Sequence, residues 1–162
     1  MSVLANTIVP AELELTQLAF LVGSAANAWV LEQLNRDGFG ALRQSHGYLV
    51  QHLLAGPRAV GELAGLLGVT QQAVSKSVAE LEAAGMIETV PSEDARVRRV
   101  KLSRRGEESV RATRALRRKL EKRIARRSGD AALAAAKQVL AVALEEVGGT
   151  EAVNKRRVRP PT

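Results

Sequence analysis

"VTQQAVSKSVAELEAAGMIE", residues Val69 to Glu88, decides how the rest of the chain is read. Val74, Val78 and Leu81 recur at i, i+4 and i+7, which lays one apolar stripe along a helix of 3.6-residue period. The opposite side carries Gln71, Gln72, Ser75, Lys76 and Ala79. A helix that has only to stay soluble more often carries Glu/Lys pairs there. Thr70 is placed to cap the helix start, its hydroxyl accepting from an otherwise unpaired backbone N–H. Gly85 ends the helix, and the period then changes.

Working outward, Val60 to about Leu67 forms a short helix with Val60, Leu63, Ala64 and Leu67 inward and Gly68 just past its end. Two short helices joined by a tight glycine-containing turn make a helix-turn-helix. After Gly85, "MIETV" and "ARVRRVKLS" are β-branched or alternating and flank "PSED", so they predict a β-hairpin. Val100 and Leu102 fall on one face of its second strand, Arg99 and Lys101 on the other. Gly106 separates this hairpin from a very basic helix, "EESVRATRALRRKLEKRIARR". "SGD" interrupts it, with Ser128 or Asp130 as candidate caps for an alanine-rich helix over Ala131–Val147.

Upstream, a long helix runs from after Pro10 to about Asn35, with Leu15, Leu18, Val22, Ala25 and Trp29 on one apolar stripe. "DGFG" breaks it, and "ALRQSHGYLVQHLLAG" forms the next helix, ending at Gly56-Pro57. The expected architecture is mainly α with a small β-hairpin wing, one domain over 1–162. Residues 38–105 form a winged helix-turn-helix, and 11–36 and 107–148 supply helices for dimerisation. The basic, proline-terminated segment 149–162 is expected to be disordered.

Composition narrows the function. Hydrophobic residues are 46% of 162 and aromatics only 2%, so the core must be aliphatic. With no cysteine, disulfides, thiolate metal sites and thiol redox switches are excluded. No basic n-region precedes an apolar run, and no apolar run is long enough to span a bilayer, so a cytoplasmic protein without membrane contact is expected. The net charge is +7, yet residues 91–127 alone hold 15 Lys/Arg against 5 Asp/Glu. Positive charge gathered on one stretch is the electrostatic footprint of a polyanion partner.

The order of elements and two motifs resemble the MarR family of transcription regulators. "ELAGLLGVTQQAVSKSVAELEAAGMIE" is similar to that family's helix-turn-helix. "EDARVRRVKLSRRG" is similar to its wing, with Asp94, Arg96, Val100, Leu102 and Gly106 in place. Ser103 stands where threonine is usual, and "IETVPSE" lacks the basic residue often found before the turn. The similarity spans roughly residues 11–147.

The outer face of the opening helix fits this reading. Glutamine can both donate and accept at an adenine edge, serine and lysine reach base or phosphate, and the Ala79 methyl permits close approach. Thr70, Gln71, Gln72, Ser75 and Lys76 gather at the helix start, the end that meets base edges in helix-turn-helix proteins. Arg96, at the wing tip, is expected to enter a minor groove. The resemblance implies that Asp94 pairs with the arginine to hold the loop. Arg98 and Arg99 contact phosphates or remain solvated. The first and last long helices are expected to join two copies, so that a homodimer reads a pseudo-palindrome in double-stranded DNA as a repressor.

The resemblance further implies a small anionic or aromatic effector between the dimerisation helices and the winged domain. Trp29, Arg43, His46 and Tyr48 fall in that region, although each has an ordinary packing role as its alternative. No cofactor or metal is expected: His46 and His52 are six residues apart, about 240° around a helix. "GFGALR" lacks a third glycine and a preceding strand, and there is no nucleophile elbow, so no enzyme is expected. Two other readings use the basic stretch, an architectural DNA-binding protein and a helical adaptor for an acidic protein partner. Neither needs base-edge chemistry on the Gln/Ser/Lys face.

Overall fold

The computed structural model of the chain describes residues 8–40, 42–94 and 96–154. Helices α1 (Leu15–Arg36), α2 (Gln44–Leu53), α3 (Val60–Leu67) and α4 (Gln71–Ala83) are followed by strands β2 (Ile87–Val90) and β3 (Arg99–Leu102). Helices α5 (Arg104–Ser128), α6 (Asp130–Glu146) and α7 (Gly149–Asn154) complete the order. A short strand β1 (Arg58–Ala59) precedes α3, so the predicted hairpin is a three-stranded antiparallel sheet in the order β1-β3-β2. Two residues after a Gly-Pro carry no periodic signal. Their pairing, Arg58 with Val100 and Ala59 with Arg99, ties the entrance of the helix-turn-helix to the wing.

The core is aliphatic, as the composition requires. Leu49 and Leu53 of α2, Val60 and Leu63 of α3, and Val74, Val78 and Leu81 of α4 close around Met86, Ile87 and Val100. The three α4 residues are those of the predicted stripe. Burying each such side chain contributes about 1.5–3 kcal/mol. The core therefore orients α4 about its own axis and turns its other side outward.

α4 and α5 are tied together at one junction. The chain leaves α4 at Ala84 and turns at Gly85, and the Met86 N–H donates back to the Leu81 carbonyl at 2.8 Å. The Met86 carbonyl accepts from the Ser103 N–H at 3.0 Å. Ser103 caps α5: its hydroxyl accepts from the Gly106 N–H at 3.0 Å and donates to the Gly85 carbonyl at 2.6 Å. Gly106 does not separate wing and helix as expected; it lies in the first turn of α5. A Cβ there would fall 1.9 Å from the Met86 carbonyl oxygen. The glycine allows helix and turn to touch.

Other boundaries move for local reasons. A 3-10 turn, Pro10–Glu12, precedes α1, and extended backbone at Leu13 and Glu14 delays the helix to Leu15. α2 is shorter than the apolar pattern suggested. Arg43 is extended at its N-cap, and the His46 ring Nδ1 accepts from the Arg43 N–H at 3.3 Å. Neither Ser128 nor Asp130 caps α6. The Ser128 hydroxyl donates to the Ile124 carbonyl at 3.1 Å, and Gly129, at φ +86°, makes the corner. Asp130 instead starts α6, where its charge meets the positive end of the helix dipole. The segment expected to be disordered begins with α7, and its residues 155–162 lie outside the described residues.

α1 and α6 stand apart from this core. Only Val30 and Leu34 of α1 are buried, both beyond the predicted stripe, and α6 buries none of its residues. Phe20 is 73% exposed, Val22 56% and Val142 55%.

Gly106→Ala is expected to destabilise the chain by about 1–3 kcal/mol, as over-packing does. Gly61→Ala, in a helix with open space around it, should be neutral or stabilising. Urea unfolding of the two variants beside the parent checks both.

Candidate nucleic-acid interface

The start of α4 presents its polar groups as the sequence predicts. The Thr70 hydroxyl accepts from the Ala73 N–H at 3.2 Å, so the cap forms. Gln71, Gln72, Lys76 and Ala79 are exposed and Ser75 is half-buried. Lys76 has no ion pair among the described residues. The amides, the hydroxyl and the ammonium therefore share one solvent-facing side at the positive end of a helix dipole.

The wing departs from expectation at Asp94. Its carboxylate accepts from the Arg96 backbone N–H at 2.9 Å, and its carbonyl accepts from the Val97 N–H at 2.9 Å. A short acidic side chain two residues before an N–H closes a local turn more readily than it holds a long flexible guanidinium. The expected pairing with the arginine side chain is not made. Asp94 shapes the loop through the backbone, and the Arg96 side chain is left exposed, without a partner among the described residues.

Arg98 and Arg99 are committed inside the fold. Arg98 donates through Nη2 to Glu82 of α4, and its Nε reaches the Thr89 hydroxyl at 3.4 Å. Thr89 in turn donates to the second Glu82 oxygen at 2.7 Å. Burial pushes the Glu82 carboxyl upward, but the hydrogen bonds from Thr89 and Arg98 and the Arg98 charge outweigh it and hold the group below the usual carboxylate range. Arg99 donates to the Pro57 carbonyl at 3.2 Å, beside β1. The wing is braced against α4 by one arginine and against the turn before α3 by the next.

A second acidic residue of α4 is matched in the same way. Glu80 accepts from the Arg43 guanidinium and from the ring Nε2 of buried His46 at 2.9 Å. Since Nδ1 of His46 accepts from a backbone N–H, Nε2 carries the proton. Burial, and then the Arg43 charge, lower the His46 pKa. Glu80, Glu82 and Thr89 were not singled out in the sequence. The available signal was two carboxylates on a helix expected to face a polyanion, each of which calls for a cation.

A cavity of about 550 Å³ opens between α1, α2 and α5, with Leu34, Arg43, His46, Tyr48, Thr113 and Arg117 in its wall. It brings together three of the four residues proposed for an effector. Trp29 is not in the wall; it is half-buried on α1, one position from the inward-facing Val30. Arg43 does not stand open, since Glu80 holds it.

A three-stranded sheet packed on a helix-turn-helix, with an exposed polar helix start and an arginine-tipped loop, defines a winged helix-turn-helix. Residues 42–96 match the profile of the MarR family. RV1404 of Mycobacterium tuberculosis is 25% identical, with a TM-score of 0.69 over 83% of this chain and 92% of that one. The MarR family transcription regulator SP03579 is 22% identical, with a TM-score of 0.65 over 82% of this chain and 87% of its own. A MepR mutant of Staphylococcus aureus bound to an oligodeoxyribonucleotide has the same fold at 18% identity, with a TM-score of 0.62 over 84% of this chain and 99% of that one. No curated protein sequence matches the chain. Over residues 42–96 the chain is thus similar to the MarR family, and it shares the fold of solved MarR family structures.

His46 makes the fold sensitive to acid, with a definite sign. Its folded pKa lies below the ordinary imidazole value of 6.5, so between that value and the folded pKa the unfolded chain binds the extra proton. Stability is full above pH 6.5 and falls as the pH drops through the folded value. Urea midpoints measured from pH 7.5 to 5 should decline, and should decline less steeply in His46→Gln, which keeps a donor toward Glu80.

Proposed function

We propose that the chain is a homodimeric, sequence-specific repressor that reads a pseudo-palindromic operator in double-stranded DNA. The observation that carries this reading is the uncommitted side of α4. Gln71, Gln72 and Lys76 are exposed with Ser75 half-buried among them, and Arg96 is exposed at the wing tip, while the neighbouring arginines of the wing are already bound within the fold. In this reading the Thr70 cap and the four following side chains meet base edges and phosphates in the major groove. Arg96 enters the adjacent minor groove. Arg98 and Arg99 act by holding the wing rather than by touching phosphate.

The dimer is argued from apolar surface. Leu15, Phe20, Leu21 and Val22 of α1 and Val139, Leu140 and Val142 of α6 are exposed in the single chain. Large apolar side chains left exposed along two helices call for a cover. A second copy, placed by a two-fold axis, would set the two α4 helices about one turn of DNA apart, roughly 34 Å. The apolar sides of the helices within 11–36 and 107–148 then serve dimerisation, and 38–105 serve DNA reading. Among the described residues no helix is long and apolar enough to cross a membrane, which agrees with a cytoplasmic regulator. The cavity beside His46 supports release by a small anionic or aromatic effector that meets Arg43, His46 and Tyr48.

Selection of random duplexes by the purified chain should return an inverted repeat; recovery of unselected sequence would remove the reading. Arg96→Ala should weaken operator binding by about 1–3 kcal/mol, and Gln72→Ala should relax preference at one base step of each half-site. Val22→Glu combined with Leu140→Glu should yield monomers by sedimentation and abolish preference for the inverted repeat over a single half-site.

A further inference from the structure

The reading of α4 and the wing leaves the densest positive charge of the molecule unused. Arg118, Lys119, Lys122, Arg123, Arg126 and Arg127 occupy ten residues at the far end of α5, and all are exposed. Glu121 is the one carboxylate among them, and it is taken by Lys137 of α6. None of the six has an ion pair or hydrogen bond among the described residues.

Their spacing is not that of a helix that merely needs water. Arg118, Lys122 and Arg126 follow at i, i+4 and i+8, and Lys119, Arg123 and Arg127 do the same one residue on. Residues four apart are neighbours on a helix surface, and like charges there oppose helix formation. Nearer the wing, α5 uses the opposite arrangement, with Arg104 on Glu108 and Arg111 beside Glu107. The helix dipole rewards cations only in the last turn, which accounts for Arg126 and Arg127 and not for the other four. Leu116 and Leu120 are half-buried on the side away from the Arg118 row, so the row stands outside the packing of α5.

The geometry points to a second, sequence-independent DNA site on α5, in which the two cationic rows of residues 118–127 take the phosphates of a duplex segment other than the one read by α4. Distance separates the two sites. α5 starts beside the wing at Arg104, and at 1.5 Å per residue the cluster begins about 20 Å along the helix and ends about 35 Å along it. A row repeats every four residues, about 6 Å, and duplex DNA offers a charge every 1.7 Å or so of axis, so each cation finds a phosphate without a fixed register. Residues 118–127 hold no aromatic, and Ile124 is their one exposed large apolar side chain, which disfavours a lipid surface, where a whole apolar face must insert. They equally lack the large anchors of a protein interface.

The test uses the full chain and a variant with all six cations changed to glutamine, its helix content and oligomeric state checked against the parent. Protein saturated with an immobilised inverted-repeat duplex, or with the best duplex recovered by selection, is offered a labelled duplex of unrelated sequence at low salt. The parent should retain the second duplex and release it steeply as salt rises, with a log–log slope approaching about −5 for six phosphates. The variant should retain at least tenfold less while holding the first duplex within about threefold. Equal retention by both, or none by the parent, overturns the proposal. Capture of phosphatidylserine vesicles or of polyglutamate in place of the second duplex also overturns it.

An Arg96→Ala, Gln72→Ala variant separates this from the operator reading. It should lose preference for the inverted repeat and keep the salt-sensitive binding of unrelated duplex measured by anisotropy. Loss of both together would assign all DNA binding to the α4 face and sink the α5 site alone.

Discussion

The contact between the Met86 carbonyl and the first turn of α5 sets the geometry of this molecule. One oxygen lies against the helix where Gly106 has no side chain, and one serine hydroxyl joins Gly85 to Gly106. Through these few atoms the end of the surface helix α4 is fixed to the start of the longest helix in the chain. The wing runs between the two attachment points, because β2 follows Met86 and β3 precedes Ser103. α4, wing and α5 are therefore joined at one contact, and a Cβ placed there would disturb all three.

Within that joined region the charges are divided. α4 carries two carboxylates on a surface whose neighbours are basic, and each is neutralised from a different element, Glu80 by Arg43, with a hydrogen bond from His46, and Glu82 by Arg98 of the wing. These pairs are partly exposed, so each contributes little to stability, typically under about 1 kcal/mol. Their effect lies in what remains free. An unmatched carboxylate on α4 would repel phosphate, and an unmatched Arg98 would compete with Arg96 for it. Once both are paired, the free groups are Lys76 and the amides at the helix start and Arg96 at the loop tip.

Much of this was legible in the sequence where one signal dominated. The stripe Val74, Val78, Leu81 had only a helical reading, and the packing confirms each residue. The Thr70 cap formed because a threonine before a helical run has a local partner whatever the tertiary structure. Features set by contacts distant in sequence were not legible. β1 exists because β3 offers it a free edge, and nothing in Arg58-Ala59 alone says strand. Gly106 read as a boundary because a glycine between two patterned segments usually is one; its reason lies 20 residues away at Met86. Asp94 was assigned to a charge when a backbone N–H two residues on was the nearer partner. Trp29 followed an apolar stripe drawn from the N-terminal half of α1, whereas the buried side shifts to Val30 and Leu34 where α1 meets the rest of the chain.

The same division sets the outer helices apart from the winged part. α1 and α6 contribute almost nothing to the core, so their apolar sides are free to be set by another surface, in the proposed reading a second copy. The winged part is internally tight and joined to them through α5 and through the cavity wall. That wall contains His46 and Arg43, which grip Glu80 on α4. A group filling the cavity therefore meets the same two side chains that hold α4 from behind, without touching its outer face.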